Sequence, residues 1–174
     1  MTEYVIGCTH FGHAGIIDLA NRPFENVDHM NRSLVQNWNR VVRPGDTIYH
    51  LGDFAWSDHL YWADQLNGTL VLIGGNHDRK NPMRSIPYLE IRRDKKLWCL
   101  FHYPIEEWNG WYSGSFHVHC HTHDQRIITA PGRFNCTVEA NNYAPISLEK
   151  VRFELTKHEA THPRNVNIDI DGPA

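Results

Sequence analysis

The stretch Thr69-Leu70-Val71-Leu72-Ile73-Gly74-Gly75-Asn76-His77-Asp78 joins a near-continuous apolar run to a polar loop. Such a run is typical of a central strand that is buried on both faces of its sheet. The glycines and polar residues that follow predict a loop at the carboxyl end of this strand. In layered α/β folds, those strand ends form the crevice in which ligands bind. Residues 69–78 therefore predict a buried sheet and the edge of that sheet where a site belongs.

Strands and helices alternate through the rest of the first half. Two further strands are predicted, at residues 3–8 and 47–51. Apolar residues recur at helical spacing in residues 27–42, and Pro44-Gly45 ends that helix. A second helix is predicted at residues 58–66, with Ser57 as its N-cap.

Strands dominate the second half of the chain. They are predicted at residues 88–92, 96–101, 115–120, 133–139 and 151–155. The whole pattern predicts an α/β fold, a layered α/β/β/α sandwich of two stacked mixed sheets with outer helices in a single domain. We expect this domain to span residues 1–156 and the polar segment 157–174 to be a peripheral C-terminal tail.

Length and charge limit the classes of function. A chain of 174 residues suits one domain with a sizeable core. The net charge of −3 argues against strong nucleic-acid binding. No apolar run approaches the ~20 residues of a membrane span, and the N-terminus lacks the features of a signal peptide. We therefore expect a cytoplasmic protein without a membrane partner; the sequence does not indicate its oligomeric state.

Histidine is the compositional outlier, with 13 residues in the chain. His117, His119, His121 and His123 occupy alternate positions, which on an extended strand would project to one side. Because imidazole is the commonest metal ligand among side chains, this row indicates coordination. By contrast, the four cysteines show no paired spacing, so neither a disulfide framework nor a structural zinc knot is predicted.

Potential ligands also follow the other predicted strands. Five polar loops carry them: Cys8 and His10; Asp53; Asn76 and His77; His102; and His121 and His123. Any one of these loops would be unremarkable as a turn. Five in succession after five apolar runs predict a shared site at the strand ends.

With these residues, the chain resembles the calcineurin-like metallophosphoesterase superfamily. That superfamily has the motifs D-x-H, G-D, G-N-H-[DE], H and G-H-x-H. Here they read Cys8-Thr9-His10, Gly52-Asp53, Gly75-Asn76-His77-Asp78, His102 and Cys120-His121-Thr122-His123, in the same order over roughly residues 1–155. Thr9-His10-Phe11-Gly12-His13 and Asn21-Arg22-Pro23-Phe24 look like a compact bacterial and phage branch.

The resemblance implies a dinuclear metal centre. One metal ion would be held by His10, Asp53, His123 and the residue at position 8. The other would be held by Asp53, Asn76, His102 and His121. The family pattern assigns no role to His117 and His119, so we expect them to pack in the core or to support the ligands, with coordination as the alternative. Mixed nitrogen and oxygen ligands suit Mn²⁺, our first choice, with Fe or Zn²⁺ as alternatives.

The resemblance also implies a metal-dependent phosphoric ester hydrolase. A hydroxide bridging the two metals would attack a phosphomonoester or phosphodiester of a small molecule or nucleotide. His77 would contact the phosphoryl group or protonate the leaving oxygen. Asp78 would orient His77, or would be only a turn residue. Alternatives are a cyclic-nucleotide phosphodiesterase or a nuclease that uses the same site.

Two residues depart from the family pattern. Cys8 replaces aspartate, which leaves three interpretations. Its thiolate is a metal ligand that favours Zn²⁺ or Fe, or the first metal is held weakly by fewer ligands, or the protein is a metal-binding scaffold with impaired catalysis. Cys120 replaces the glycine before His121, so this position must have an ordinary backbone conformation. We expect Cys120 to be an inert small side chain, with a disulfide to Cys8 or a shared metal contact as the alternatives.

The substrate-side candidates are His13, Arg22 and Arg79. Arg22 is the best phosphate ligand by chemistry, with loop anchoring as its alternative, and Arg79 has a solvated surface position as its alternative. Four aromatic residues after His102 are candidates for a wall that stacks a nucleobase, with cover for a loop or dimer contacts as the alternatives: Tyr103, Trp108, Trp111 and Tyr112.

Overall fold

The computed structural model describes residues 1–164. Its strands, in chain order, are β1 (Glu3–Ile6), β2 (Thr47–His50), β3 (Thr69–Ile73), β4 (Ser85–Ile86), β5 (Leu89–Arg93), β6 (Lys96–Leu100), β7 (Phe116–His119), β8 (Ile128–Ala130), β9 (Arg133–Asn135) and β10 (Ile146–Ser147). They form two five-stranded sheets, in the orders β10-β1-β2-β3-β4 and β5-β6-β7-β9-β8. Each sheet contains three or more parallel strands and at least one antiparallel edge strand. The predicted pair of mixed sheets is confirmed.

The α-helices in the described part of the chain are α1 (Ile16–Leu19), α2 (Val27–Val41), α3 (His59–Asp64) and α4 (Leu148–Thr161). Short 3-10 helices occupy Asp78–Lys80, Trp111–Ser113 and Glu139–Asn141. Asn26 caps α2, because its side chain accepts a hydrogen bond from the His29 backbone N–H. None of the helices within residues 1–164 has the length and apolar character that crossing a membrane requires.

Two apolar cores hold these layers together. One lies between the sheets and takes side chains from both, with Leu148, Val151 and Leu155 of α4. The other covers the opposite face of the first sheet with Met30, Leu34 and Trp38 of α2, among others. β2 therefore contributes to both cores, as a strand buried on two faces must.

The strand predicted at 151–155 is wrong, because these residues lie within α4. The alternation of apolar and charged residues over five positions mimicked a strand. The true pattern is the spacing of Leu148, Val151 and Leu155, which are buried on one helical face, while Phe153 is exposed. Ser147, whose side chain accepts from the Lys150 N–H, caps the helix.

Three smaller expectations also differ from the structure. α3 is shorter than predicted, and Ser57 is not its N-cap; Asp58 precedes the helix with φ of 54°, and the Ser57 hydroxyl donates to the Asp58 carboxylate. The strand predicted at 133–139 ends at Asn135. Helix α4 continues through the boundary drawn at residue 156, and residues 165–174 of the expected tail lie outside the described part.

Candidate metal centre

The carboxyl ends of five parallel strands carry the predicted ligands. Cys8 and His10 follow β1, Asp53 follows β2, Asn76 follows β3, His102 follows β6, and His121 and His123 follow β7. Stacking of the two sheets brings these loops together around one cavity. The side chains are drawn from both sheets, so the centre exists only where the sheets meet.

The backbone at these positions is strained. Five of the seven predicted ligands have positive φ: Cys8 (56°), His10 (53°), Asp53 (54°), His121 (72°) and His123 (51°). Residues other than glycine seldom adopt this conformation, and such strain concentrates at functional sites. The strain here turns each side chain away from the strand alternation and toward the common centre.

One ligand group contains sulfur. Single ligand atoms of Cys8, His10 and His123 all lie within 4.8 Å of one another. A metal ion with bonds of about 2.0–2.3 Å joins ligand atoms up to about 4.6 Å apart. The three residues therefore need only a small contraction to bind one ion.

The second group contains a carboxylate. Asp53, His102 and His121 also offer ligand atoms within 4.8 Å of one another. His102 Nδ1 donates to the Leu51 carbonyl at 2.7 Å, so Nε2 of the neutral ring carries no proton and presents a lone pair. That lone pair faces the Asn76 Oδ1 at 3.0 Å. Two acceptors at this distance repel each other unless they share a cation, so the group fits a metal.

Asp53 lies between the two groups. Its Oδ2 is 3.6 Å from His10 Nε2 and 3.4 Å from His102 Nε2, while its Oδ1 accepts from the His77 backbone N–H. Gly75 permits this position, because a Cβ there would lie 2.3 Å from the Asp53 Oδ1. A carboxylate placed in this way suits a ligand shared by two ions.

The protonation of the site also favours metal binding. His10 Nε2 is buried and has no hydrogen-bond partner. Burial, followed by the charges of Arg22 and neighbouring histidines, lowers the pKa of His10. Burial likewise lowers the pKa of His121. Both imidazoles are therefore neutral at pH 7, which is the form that binds metal.

Comparisons with known proteins agree with this geometry. The sequence matches the family described as calcineurin-like phosphoesterase over residues 1–169. The chain belongs to the calcineurin-like phosphoesterases. It is 38% identical over 160 residues to the uncharacterized protein MJ1445 of Methanocaldococcus jannaschii, a match that covers 85% of this chain and 88% of that protein.

Two further similarities are more distant. The Gene 66 protein of Mycobacterium phage L5 is 31% identical over 80 residues, which are 42% of this chain and 38% of the phage protein. The crystal structure of the protein of unknown function AQ665 from Aquifex aeolicus is 25% identical, with a TM-score of 0.71, and the match covers 88% of this chain and 98% of that chain. The family is one of metal-dependent phosphoesterases, and the two groups of potential metal ligands in this chain agree with that.

In this calcineurin-like phosphoesterase, Glu139 is a positioning residue that the sequence motifs did not reveal. Its Oε1 accepts from His123 Nδ1 at 2.9 Å and from the Arg22 guanidinium. Burial alone would raise the pKa of Glu139, but the hydrogen bond from His123 and the charge of Arg22 outweigh it and lower that pKa. The ionised carboxylate orients His123 so that Nε2 remains for a metal, as carboxylates do behind many metal-bound histidines.

Arg22 is not placed to bind substrate, so this prediction is corrected. Its side chain is fully buried, and its nitrogens donate to Glu139 and to the carbonyls of Cys8 and Thr9. A guanidinium committed to these acceptors has no donor left to present to a phosphate in the cavity. Arg22 therefore anchors the loop that carries Cys8 and His10.

Asp78 does not orient the His77 ring. Its carboxylate accepts from the backbone N–H groups of Asp53 at 2.6 Å, Phe54 at 3.1 Å and Gly75 at 2.8 Å. The 3-10 turn that begins at Asp78 points the side chain back beneath the loop of Asp53. Asp78 thus joins the loops after β2 and β3, and the proposed catalytic role for it is wrong.

The other substrate-side candidates lie at different distances from the centre. His13 and His77 line the cavity with the ligands, and both of their rings lie 5.6 Å from the ring of His10. Arg79 is exposed and is not among the residues that line the cavity. Its predicted contact with substrate therefore has no support from its position.

The aromatic residue at the cavity is Trp56, which the sequence did not single out. Trp108 is instead buried over His117, and Tyr103 packs against His121 behind the site. Trp111 and Tyr112 belong to the 3-10 helix beyond them and do not line the cavity. The predicted stacking wall is wrong for these four residues, because the loop folds against the second sheet.

The histidine row divides at the end of β7. His117 Nδ1 bonds to the Cys99 carbonyl and His119 Nε2 to Thr129, so both are satisfied core residues. The strand ends at His119, and the positive φ of His121 breaks the alternation. The support role predicted for His117 and His119 agrees with their burial, but they do not share the side of His121.

Cys120 is buried beneath the centre. Its Sγ donates to the Leu51 carbonyl at 2.9 Å, and one ligand atom each of Cys8, His102 and Cys120 lie within 4.8 Å of one another. Its backbone is not among the positive-φ residues, as expected for cysteine in place of glycine. Cys120 therefore packs against two ligands rather than standing apart from them.

Proposed function

We propose that this protein is a dinuclear metallophosphoesterase that hydrolyses a phosphoric ester of a small molecule or nucleotide. The observation that carries the proposal is the pair of ligand groups that meet at Asp53. When bound, two divalent cations lower the pKa of a water between them and neutralise phosphate oxygens. The protein must then hold the cations, orient the ester and deliver a proton.

His77 is our candidate for proton delivery. Its side chain is exposed at the cavity, while its backbone N–H is held by the Asp53 carboxylate at 2.9 Å. This bond keeps the ring beside the ligands without involving the ring nitrogens. We propose that His77 contacts the phosphoryl group or protonates the leaving oxygen.

The two ligand groups favour different metals. The Cys8, His10 and His123 group offers sulfur and nitrogen, which suits Zn²⁺ or Fe. The group of Asp53, Asn76, His102 and His121 offers oxygen and nitrogen, which suits Mn²⁺. We therefore propose a mixed centre, with the expected Mn²⁺ at one position and the alternative, Zn²⁺ or Fe, at the position that includes Cys8.

The first test removes the shared ligand. Asp53→Asn should lower the metal content measured by mass spectrometry from about two ions per chain to one or none. Hydrolysis of bis(4-nitrophenyl) phosphate and 4-nitrophenyl phosphate should fall by at least about a hundredfold, because both ions lose their common anion. Asp64→Asn, at an exposed position on α3, is the matched control and should change neither quantity.

The outcomes separate an enzyme from a scaffold. Two bound ions without hydrolysis of either ester would reject the enzyme and support a metal-binding protein. A chain that hydrolyses both esters with no bound metal would reject the dinuclear centre. Cyclic-nucleotide phosphodiesterase and nuclease activities use the same site, and assays with cyclic and linear nucleotides identify them.

A further inference from the structure

The cavity over the metal centre has two different sides. Its volume is about 530 Å³. One side carries five of the predicted ligands, together with His77 and Thr122: His10, Asp53, Asn76, His121 and His123. The other consists of apolar and aromatic side chains: Ile16, Leu19, Ala20, His13 and Trp56.

His13 and Trp56 form a flat surface, which we call the aromatic shelf. Their rings are parallel within 8° and their centroids are 4.2 Å apart. The imidazole supports the indole, yet 55% of Trp56 stays exposed. Leu19, which also lines the cavity, is 81% exposed. A large exposed apolar surface at the mouth of a site indicates that a bound ligand covers this surface.

The shelf lies within reach of the reacting group. The ring of His77 is 5.6 Å from that of Trp56 and 5.6 Å from that of His10. The ring of His13, the other half of the shelf, also lies 5.6 Å from that of His10, so the shelf and His77 both adjoin the ligand groups. An ester whose phosphorus lies at the ligands would extend one of its substituents past His77 onto Trp56.

The charge of the cavity restricts the phosphate. Among the described residues that line it there is no lysine or arginine. The nearby Arg22 is neutralised by its ion pair with Glu139. A phosphomonoester carries close to two negative charges at pH 7, whereas a diester carries one. The positive charge at the phosphate would come from the bound metal ions alone, and because the wall adds none, we expect the cavity to suit the singly charged diester better than the doubly charged monoester.

We propose that the substrate is a phosphodiester with a planar aromatic ring on one ester group, and that Trp56 stacks this ring. A nucleobase is the biological ring with this geometry, and stacking on an aromatic side chain is tolerant of base identity. The proposal rests on the phosphoesterase function proposed above. It assigns the aromatic shelf as the determinant of substrate class.

Binding of two phosphonates tests the shelf without catalysis. Phenylphosphonate and methylphosphonate are not esters and cannot be hydrolysed. Titration of each into the metal-loaded protein is followed by the indole N–H signal of Trp56, assigned by its loss in Trp56→Phe. Phenylphosphonate should shift this signal and bind about tenfold more tightly than methylphosphonate. In Trp56→Ala the two ligands should bind equally.

Kinetics tests the same residue in turnover. Trp56→Ala should raise the KM for bis(4-nitrophenyl) phosphate about tenfold with kcat changed by less than about twofold. Tyr112→Ala, a residue of similar exposure that does not line the cavity, should leave both constants unchanged. The wild type should have a higher kcat/KM for this diester than for 4-nitrophenyl phosphate.

The failures of the two proposals are distinguishable. If the esters are hydrolysed but Trp56→Ala binds both phosphonates as the wild type does, the shelf is rejected and the enzyme stands. If the monoester is the better substrate, the preference for a diester is rejected. If the metal-loaded protein hydrolyses nothing, the phosphoesterase proposal itself fails.

Discussion

Cys8 occupies the position at which the family pattern has aspartate. Cys120, which packs against Cys8, occupies the position at which the pattern has glycine. Both thiols are fully buried. Burial, and then the neighbouring Cys120, raise the pKa of Cys8 in the absence of a cation. A bound cation reverses this effect, because it stabilises the thiolate. We expect the residues at positions 8 and 120 to be coupled, because the side chain of Cys120 fills space that a glycine would leave beside Cys8.

Restoring aspartate at position 8 alone should therefore impair the site. The carboxylate is larger than the thiol, and Cys120 occupies the space beside it in a closely packed interior. We expect Cys8→Asp to weaken metal binding by roughly tenfold or more, the size of effect seen when the surroundings of a ligand change. Cys8→Asp with Cys120→Gly should recover much of that loss, with a shift of preference from Zn²⁺ toward Mn²⁺.

The measurement is metal content after dialysis against a graded chelator, for both single variants and the double variant. A double-mutant cycle then gives the coupling between positions 8 and 120. If Cys8→Asp alone binds metal better than the wild type, Cys8 is a defect rather than a ligand.

At the scale of elements, local patterns located β1, β2 and β3 of the first sheet, but they missed its two-residue edge strands β4 and β10 and misread other short segments. β3 occupies the predicted residues 69–73, since five consecutive residues suited to a buried strand leave few alternatives. The five residues from Val151 to Leu155 fit a strand or a helix equally, and contact with the core between the sheets decides for the helix. The cap of that helix is therefore a sensitive check on its assignment.

Ser147→Ala should lower the free energy of unfolding by about 1 kcal/mol, because it removes the acceptor for the Lys150 N–H at the start of α4. Ser57→Ala, at the residue wrongly predicted to be a cap, should change it by less than about 0.5 kcal/mol. Urea denaturation of the metal-free protein measures both. Equal losses in the two variants would contradict the capping assigned to Ser147.

At the scale of the whole molecule, stacking of the sheets buries histidines as well as apolar residues. Burial lowers the pKa of His117 to about 4 and that of His119 to about 3, compared with 6.5 for an unperturbed histidine. The unfolded chain therefore binds more protons than the folded one between these values. The contribution of these two histidines to the free energy of unfolding is fully present above pH 6.5. It is lost progressively as the pH falls toward 4 for His117 and toward 3 for His119.

We expect urea denaturation of the metal-free protein to show this loss between pH 7 and pH 4.5. His119→Gln should reduce the slope by up to roughly 1.4 kcal/mol per pH unit, the contribution of one histidine that must remain neutral. His162→Gln, at an exposed position, should leave the slope unchanged. A stability that does not vary over this range would show that the buried imidazoles do not control it.

The sequence by itself determined which residue types follow each strand, and therefore which seven residues we expect to be ligands, because each motif is confined to a few adjacent residues. The tertiary structure alone decided what Arg22, Glu139 and Trp56 do. Arg22 and Glu139 are 117 positions apart, and no local pattern reports that they meet. The same holds for Asp78, whose carboxylate supports a loop 24 to 25 positions away. Periodicity describes the faces of one element, whereas the partner of a buried charge depends on which elements pack together.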